Sequence, residues 1–257
     1  ASASETLTLA VNTGTLAATS GSGVTVSGSG SASLVLTGSV ANINAFISAS
    51  GVSFTTSNNS LAAVTLTSTA HNPGTNLNGS GSTTLNVTAL PPSVSATASQ
   101  SVTENTPTAV TGIAISDPNA SASETLTLAV NTGTLAATSG SGVTVSGSGT
   151  ASLVLTGSVA NINAFISASS VSFTTANNSL AAVTLTSTAH NPSTNLNGSG
   201  STTLNVTALP TVTAPGAISV TENTANPITN ISLSDANGSL SETLTLAVNT
   251  GTLAATS

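Results

Sequence analysis

The side chains of this sequence best equipped for chemistry are seven carboxylates, and all seven fall in one part of a repeating pattern. Glu104, Asp117 and Glu124 form one set, Glu222, Asp235 and Glu242 form a second, and Glu5 is the remainder of a third. The chain has no Lys or Arg, so no acid has a salt-bridge partner, and like charges held close repel. A hard cation is the simplest compensation. Calcium takes about six to eight oxygens from carboxylates, Asn side chains, backbone carbonyls and water. Asp117-Pro118-Asn119 and Asp235-Ala236-Asn237 put two such side chains at i and i+2, where both can enter one turn. The expectation is a calcium site per repeat, with Glu104, Asp117, Asn119 and Glu124 in one and Glu222, Asp235, Asn237 and Glu242 in the next. The alternative is an Asx-type turn at Asp117 with solvated glutamates. No segment matches an EF-hand or the nonapeptide calcium repeat.

Other chemistries find little support. Without Lys or Cys there is no Schiff base, thiolate nucleophile or phosphate-cradling lysine. Without basic residues there is no counterion release on nucleic acid and no attraction to anionic lipid. His71 and His190 occupy equivalent His-Asn-Pro loops, and an isolated loop histidine is ordinarily solvated. The many serines make any triad match accidental. Asn-x-Ser/Thr triplets at Asn177, Asn197 and Asn205 are expected by chance in such a composition. Thr-x-Thr pairs such as Thr125/Thr127 and Thr184/Thr186 are ordinary strand patterning. The chain is expected not to be an enzyme.

Positioning these acids is the work of a long repeat. Glu5-Thr-Leu-Thr-Leu-Ala-Val-Asn-Thr-Gly-Thr-Leu returns at Glu124 and at Glu242, offsets of 119 and 118 residues. That period is domain-sized rather than solenoid-sized. Leu90-Pro91-Pro92 and Leu209-Pro210 follow apolar strands, and proline there ends a strand and stiffens a connection. The boundaries predict residues 1–90 as a repeat without its N-terminal part, 91–209 as a complete repeat and 210–257 as the start of a third. This phasing fits a stretch of a longer polymer.

Within the repeat, Leu126/Leu128/Val130, Val143/Val145, Leu153/Leu155, Val171/Phe173, Val183/Leu185 and Leu204/Val206 alternate with Ser, Thr or Ala. Period-two alternation is the mark of half-buried antiparallel strands. Ser139-Gly-Ser-Gly and Ser146-Gly-Ser-Gly supply turns. Over 158–166, Val159, Ile162, Phe165 and Ile166 share a helical face behind Ser158 as a cap. Eight or nine short strands in about 118 residues predict an all-β fold of tandem immunoglobulin- or cadherin-like β-sandwiches, with one short helix per repeat crossing one end. Charged residues are 3% of the chain, against about 25% in ordinary soluble proteins. At 38% hydrophobic content that favours folded strands over disorder, and no apolar run approaches the ~20 residues of a spanning helix. Zero cysteine suits export without disulfides, and the missing Lys and Arg leave trypsin-like proteases no cleavage point.

The motifs Val102-Thr-Glu-Asn-Thr-Pro, Ile115-Ser-Asp-Pro-Asn-Ala, Glu124-Thr-Leu-Thr-Leu-Ala-Val-Asn and Leu155-Thr-Gly-Ser-Val-Ala-Asn-Ile-Asn-Ala resemble the cadherin-like tandem repeats of giant bacterial surface adhesins, many exported by type I secretion. The resemblance spans the whole repeat. It implies secreted, calcium-stiffened rods at the cell surface, with ligand roles for Glu104, Asp117, Glu124 and their copies. The family often carries a second Asp where Asn119 and Asn237 stand here. Two functions follow as expectations. One is the stalk of an extracellular adhesin, whose partners are neighbouring repeats of the same chain. The other is a self-assembling subunit of an extracellular filament, sheath or biofilm matrix, where near-identical, weakly charged repeats pack laterally on other copies.

Overall fold

The computed structural model describes residues 4–176, 179–235 and 243–255. The chain divides into two compact units, Ala1–Leu90 and Pro91–Ser257. The complete repeat lies in the second. Its strands are β1 (Ser93–Ala96), β2 (Ser99–Thr103), β3 (Thr108–Ala109), β4 (Ile113–Ser116), β5 (Glu124–Val130), β6 (Thr134–Ala137), β7 (Thr144–Ser146), β8 (Ser152–Gly157), β9 (Val171–Thr174), β10 (Val183–Asn191) and β11 (Leu196–Thr207), with helix α1 (Val159–Ser167) after β8. These eleven exceed the eight or nine expected from the pattern. The surplus lies in residues 91–119, which hold four short strands, β1 to β4.

One sheet runs β7-β8-β5-β10-β11-β2, facing a three-stranded sheet β3-β9-β6 and the pair β4-β1. All pairings are antiparallel except β2 with β11, which run parallel from Ser99 beside Thr203 to Thr103 beside Thr207. The alternating residues behave as expected. Leu126, Leu128, Leu153, Leu155, Leu185 and Leu204 project inward from the large sheet to meet Leu135, Val171, Phe173, Ile113 and Ile115. Burial of each such side chain contributes on the order of 1.5–3 kcal/mol. Gly133 turns β5 into β6 at φ +87°, directly over the Phe173 ring, where a Cβ has no room.

Helix α1 closes the end of the sandwich at which β5 begins, since it leaves β8 at Gly157, the register partner of Glu124. Ser158 caps it, accepting from the Asn161 amide at 3.2 Å. Ile162, Phe165 and Ile166 enter the core.

The first unit repeats the large sheet in the same registers. Its strands Val24–Ser27, Ser33–Gly38, Glu5–Val11, Val64–Asn72 and Leu77–Leu85 lie side by side in that order. Thr15–Ala18 pairs with Val52–Thr55 opposite. Among its described residues no strand corresponds to β1 to β4. In the C-terminal segment, Thr211–Thr213 pairs with Ser232–Ser234.

Candidate functional site

The acids of the complete repeat separate to its two ends. Asp117 follows β4, whose Ser116 pairs with Ser93, so it stands where the chain enters the repeat. The Pro118-Asn119 turn folds back so that Asp117 Oδ1 accepts the Asn119 amide at 2.7 Å, the i to i+2 bond of an Asx turn. Asp117 Oδ2 accepts from Asn191 Nδ2 at 2.7 Å, and the same nitrogen donates to the Asn119 carbonyl at 2.9 Å. Asn191 is fully buried at the end of β10. Its own Oδ1 accepts the Ser193 and Thr194 amides.

Glu124 opens β5 at the same end. Only 2% of it is exposed. Its Oε1 accepts from the Ser121 amide at 2.6 Å and the Ser121 hydroxyl at 2.9 Å. A carboxylate withdrawn this far from water must be compensated by hydrogen bonds or a cation, and the chain has no Lys or Arg to offer. Each Asp117 oxygen accepts one of these hydrogen bonds and keeps a second lone pair, whereas Glu124 Oε1 accepts two. In the first unit the counterpart Glu5 is only half-buried.

Glu104 lies elsewhere. It follows β2, its amide donates to the Thr207 carbonyl at 2.9 Å, and its Oε1 accepts the Leu209 amide at 3.1 Å. Glu124 stands near the level of His190 and Asn197, ten residues along β11 from Thr207. At about 3.3 Å per residue that is roughly 30 Å. The structure therefore does not bring Glu104 together with Asp117, Asn119 and Glu124 within one repeat. β2 runs parallel to β11 and carries Glu104 to the exit end, while Asp117, Asn119 and Glu124 gather at the entry end. Among the described residues no three His, Asp or Glu side chains converge.

The exit end leads into the next repeat's acids. Leu209, held by Glu104, is two residues before Thr211, and Thr211 pairs with Ser234, the neighbour of Asp235. Glu104 and Asp235 are thus both anchored to the stretch 209–211. Glu222 is exposed and sits at its own repeat's copy of the Glu104 position. Asn237 and Glu242 lie outside the described residues, as does Asn177.

His190 Nδ1 lies 2.8 Å from Oδ1 of Asn197, its cross-strand register partner, and His71 repeats this with Asn78. Each histidine is thereby tied into its hairpin. Sequence reasoning missed Asn191. Its signal in the sequence is its recurrence beside the histidine in both His-Asn-Pro triplets.

No family model matches the chain, and no curated protein matches it. Among solved structures it is similar to an I-band fragment from titin, at 16% identity over 81% of this chain and 62% of that one, with a TM-score of 0.22. It is similar to the zebrafish RET cadherin-like domains 1 to 4, at 12% identity over 79% and 41%, TM-score 0.20. It is similar also to an endo-fucoidan hydrolase of glycoside hydrolase family 107, at 12% identity over 79% and 24%, TM-score 0.24. The chain spans less than two thirds of the length of each. The fold class, tandem all-β sandwiches, stands on the strand order and core described above.

Proposed function

We propose that the chain is a segment of an extracellular structural rod, of the kind found in bacterial surface adhesins, in which calcium stiffens the joints between consecutive repeats. The supporting observation is the tethering of Glu104 and Asp235 to the same stretch, 209–211. Acids roughly 30 Å apart within one repeat come into one neighbourhood across a joint. The ligands drawn from the earlier repeat are then Glu104, and from the later one Asp235, Asn237 and Glu242. Asp117, Asn119 and Glu124 offer the same acceptors to whatever repeat precedes. A cation bound there by both neighbours fixes their angle, as a rod requires.

Thermal unfolding of the 257-residue chain with calcium and with a chelator tests this. Binding at a hundredfold excess over Kd stabilises by about 2.7 kcal/mol, which raises the midpoint by roughly 5–10 °C for a unit of this size. Glu104→Gln and Asp235→Asn should each remove most of the shift. Superimposed curves up to millimolar calcium would remove calcium from the account. The remaining reading would then be a filament subunit held by packing alone.

A further inference from the structure

A sheet edge left open is a template for another chain, and proteins close such edges with lysine, other charges, proline or bulges. This chain has no Lys or Arg. In the complete repeat the sheet edges belong to β1, β2, β3, β4, β6 and β7. None of these strands contains a charged residue or a proline. Near-identical repeats in one chain sharpen the hazard, because each edge meets others of its own sequence.

Uncharged side chains close the edges instead. Residues 139–140 fold back along β7. Gly140 and Val143 exchange amide and carbonyl bonds at 3.0 and 2.9 Å, and Ser139 Oγ accepts the Val145 amide at 2.8 Å. Beside β6, Ser148 Oγ accepts the Ala137 amide at 3.1 Å. At β3, Gln100 donates to the Ala109 carbonyl and accepts the Thr111 amide. On β2 the Thr103 amide donates to Thr108 Oγ1 at 3.3 Å, and on β4 Asn163 takes both the amide and the carbonyl of Ile115. β1 is pressed over Gly198 and Gly200, so closely that a Cβ on Gly198 would overlap the Pro92 carbonyl. The first unit makes the bonds at β7 and β6 again: Ser20 Oγ accepts the Val26 amide at 2.8 Å, and Ser29 Oγ accepts the Ala18 amide at 3.1 Å.

We propose that Ser139, and Ser20 in its repeat, guard the outermost edge of the large sheet against the same edge of another repeat. β7 ends that sheet, so a strand added there would continue it. Without the hydroxyl, the fold-back over β7 is pinned at Gly140 alone. Two β7 edges can then pair antiparallel about a two-fold axis, each extending the other's sheet. The partner held off is thus a second copy of the same strand, Thr144–Ser146 or Val24–Ser27. The guard acts within each repeat and uses no metal, so it is tested in chelator, apart from the calcium joint.

The test is sedimentation velocity with hydrogen exchange on the 257-residue chain carrying Ser20→Ala with Ser139→Ala. In dilute solution the Val145 amide should exchange about tenfold faster than in the native chain. At higher concentration the variant should form dimers and larger species beyond those of the native chain, and protection of Val145 should return as they form. Adding Ser27→Lys with Ser146→Lys, at exposed positions of the same strands, should reverse the association, because like charges then meet across the paired edges. A control with Ser39→Ala and Ser158→Ala removes helix-capping hydroxyls away from any edge and should sediment as the native chain does. A guard variant that sediments as the native chain at every concentration overturns the proposal. So does association no greater than that of the helix-cap control, which would reduce the effect to lost stability. Association that the lysines leave unchanged overturns it as well.

Discussion

Asn191 carries more of the entry end than any acid does. Its carboxamide joins Asp117, the Asn119 carbonyl and the amides of Ser193 and Thr194, four bonds made by a fully buried side chain. Replacing it with Ala strands a half-buried carboxylate and two amides, a loss of about 3 kcal/mol. Among the described residues the counterpart Asn72 accepts from the Gly74 and Thr75 amides alone, so Asn72→Ala should cost about 1 kcal/mol. Urea unfolding followed by hydrogen exchange resolves the two units, and equal losses would show that the Asp117 bond contributes nothing. The acids themselves were legible in the sequence, because seven carboxylates without a single cation stand out. Their division between two ends was not legible. It depends on β2 running parallel to a strand some hundred residues later, and no local pattern records that direction.

At the scale of elements, one nine-residue helix sequence occurs twice in different surroundings. Val159–Ser167 and Val40–Ser48 read identically and both begin at a serine cap. In the complete repeat, Asn163 Oδ1 accepts the Ile115 amide at 2.8 Å and its Nδ2 donates to the Ile115 carbonyl at 2.9 Å. The carboxamide thus stands in for a neighbouring strand along the open edge of β4. Asn163→Ala should free the Ile115 amide to exchange at least tenfold faster and cost about 1–2 kcal/mol. Asn44→Ala, at an exposed position of the first unit, should change neither quantity. An unaltered Ile115 exchange rate would show that β4 is held by its pairing with β1 alone. The helix was legible from its apolar spacing and cap. Its use of a polar residue as an edge clamp was not, because Asn163 lies off the apolar face that revealed the helix.

For the whole molecule, alternation of Leu and Val with Ser and Thr was enough to read strands, sandwich and repeat. The large sheet obeys it almost residue for residue, because each of its strands has one face on the core. In residues 91–119 the alternation is carried by few large apolar side chains, chiefly Ile113 and Ile115 of β4. β1 and β2 are a single run that leaves one sheet for the other, and their cover comes from packing over glycines rather than from large side chains of their own. Two stretches of nearly the same sequence, 1–90 and 120–209, therefore differ in how fully their side chains are buried.

The parallel pairing of β2 with β11 has a mechanical consequence. The chain enters a repeat at Pro91 and leaves at Leu209, and β2, the second strand after the entry, lies beside β11, the last strand, pointing the same way over five register pairs. Tension applied along the chain slides one strand past the other. It loads the rungs together, along with the Glu104 contacts to Thr207 and Leu209, instead of peeling them one at a time. Pulling through Pro91 and Leu209 should thus need markedly more force than pulling through Val183 and Leu204, which opens the antiparallel β10–β11 pair from one end. Equal forces would mean the clamp bears no load. If it holds, the complete repeat resists stretching by shear, and its strength under load is set where β2 meets β11.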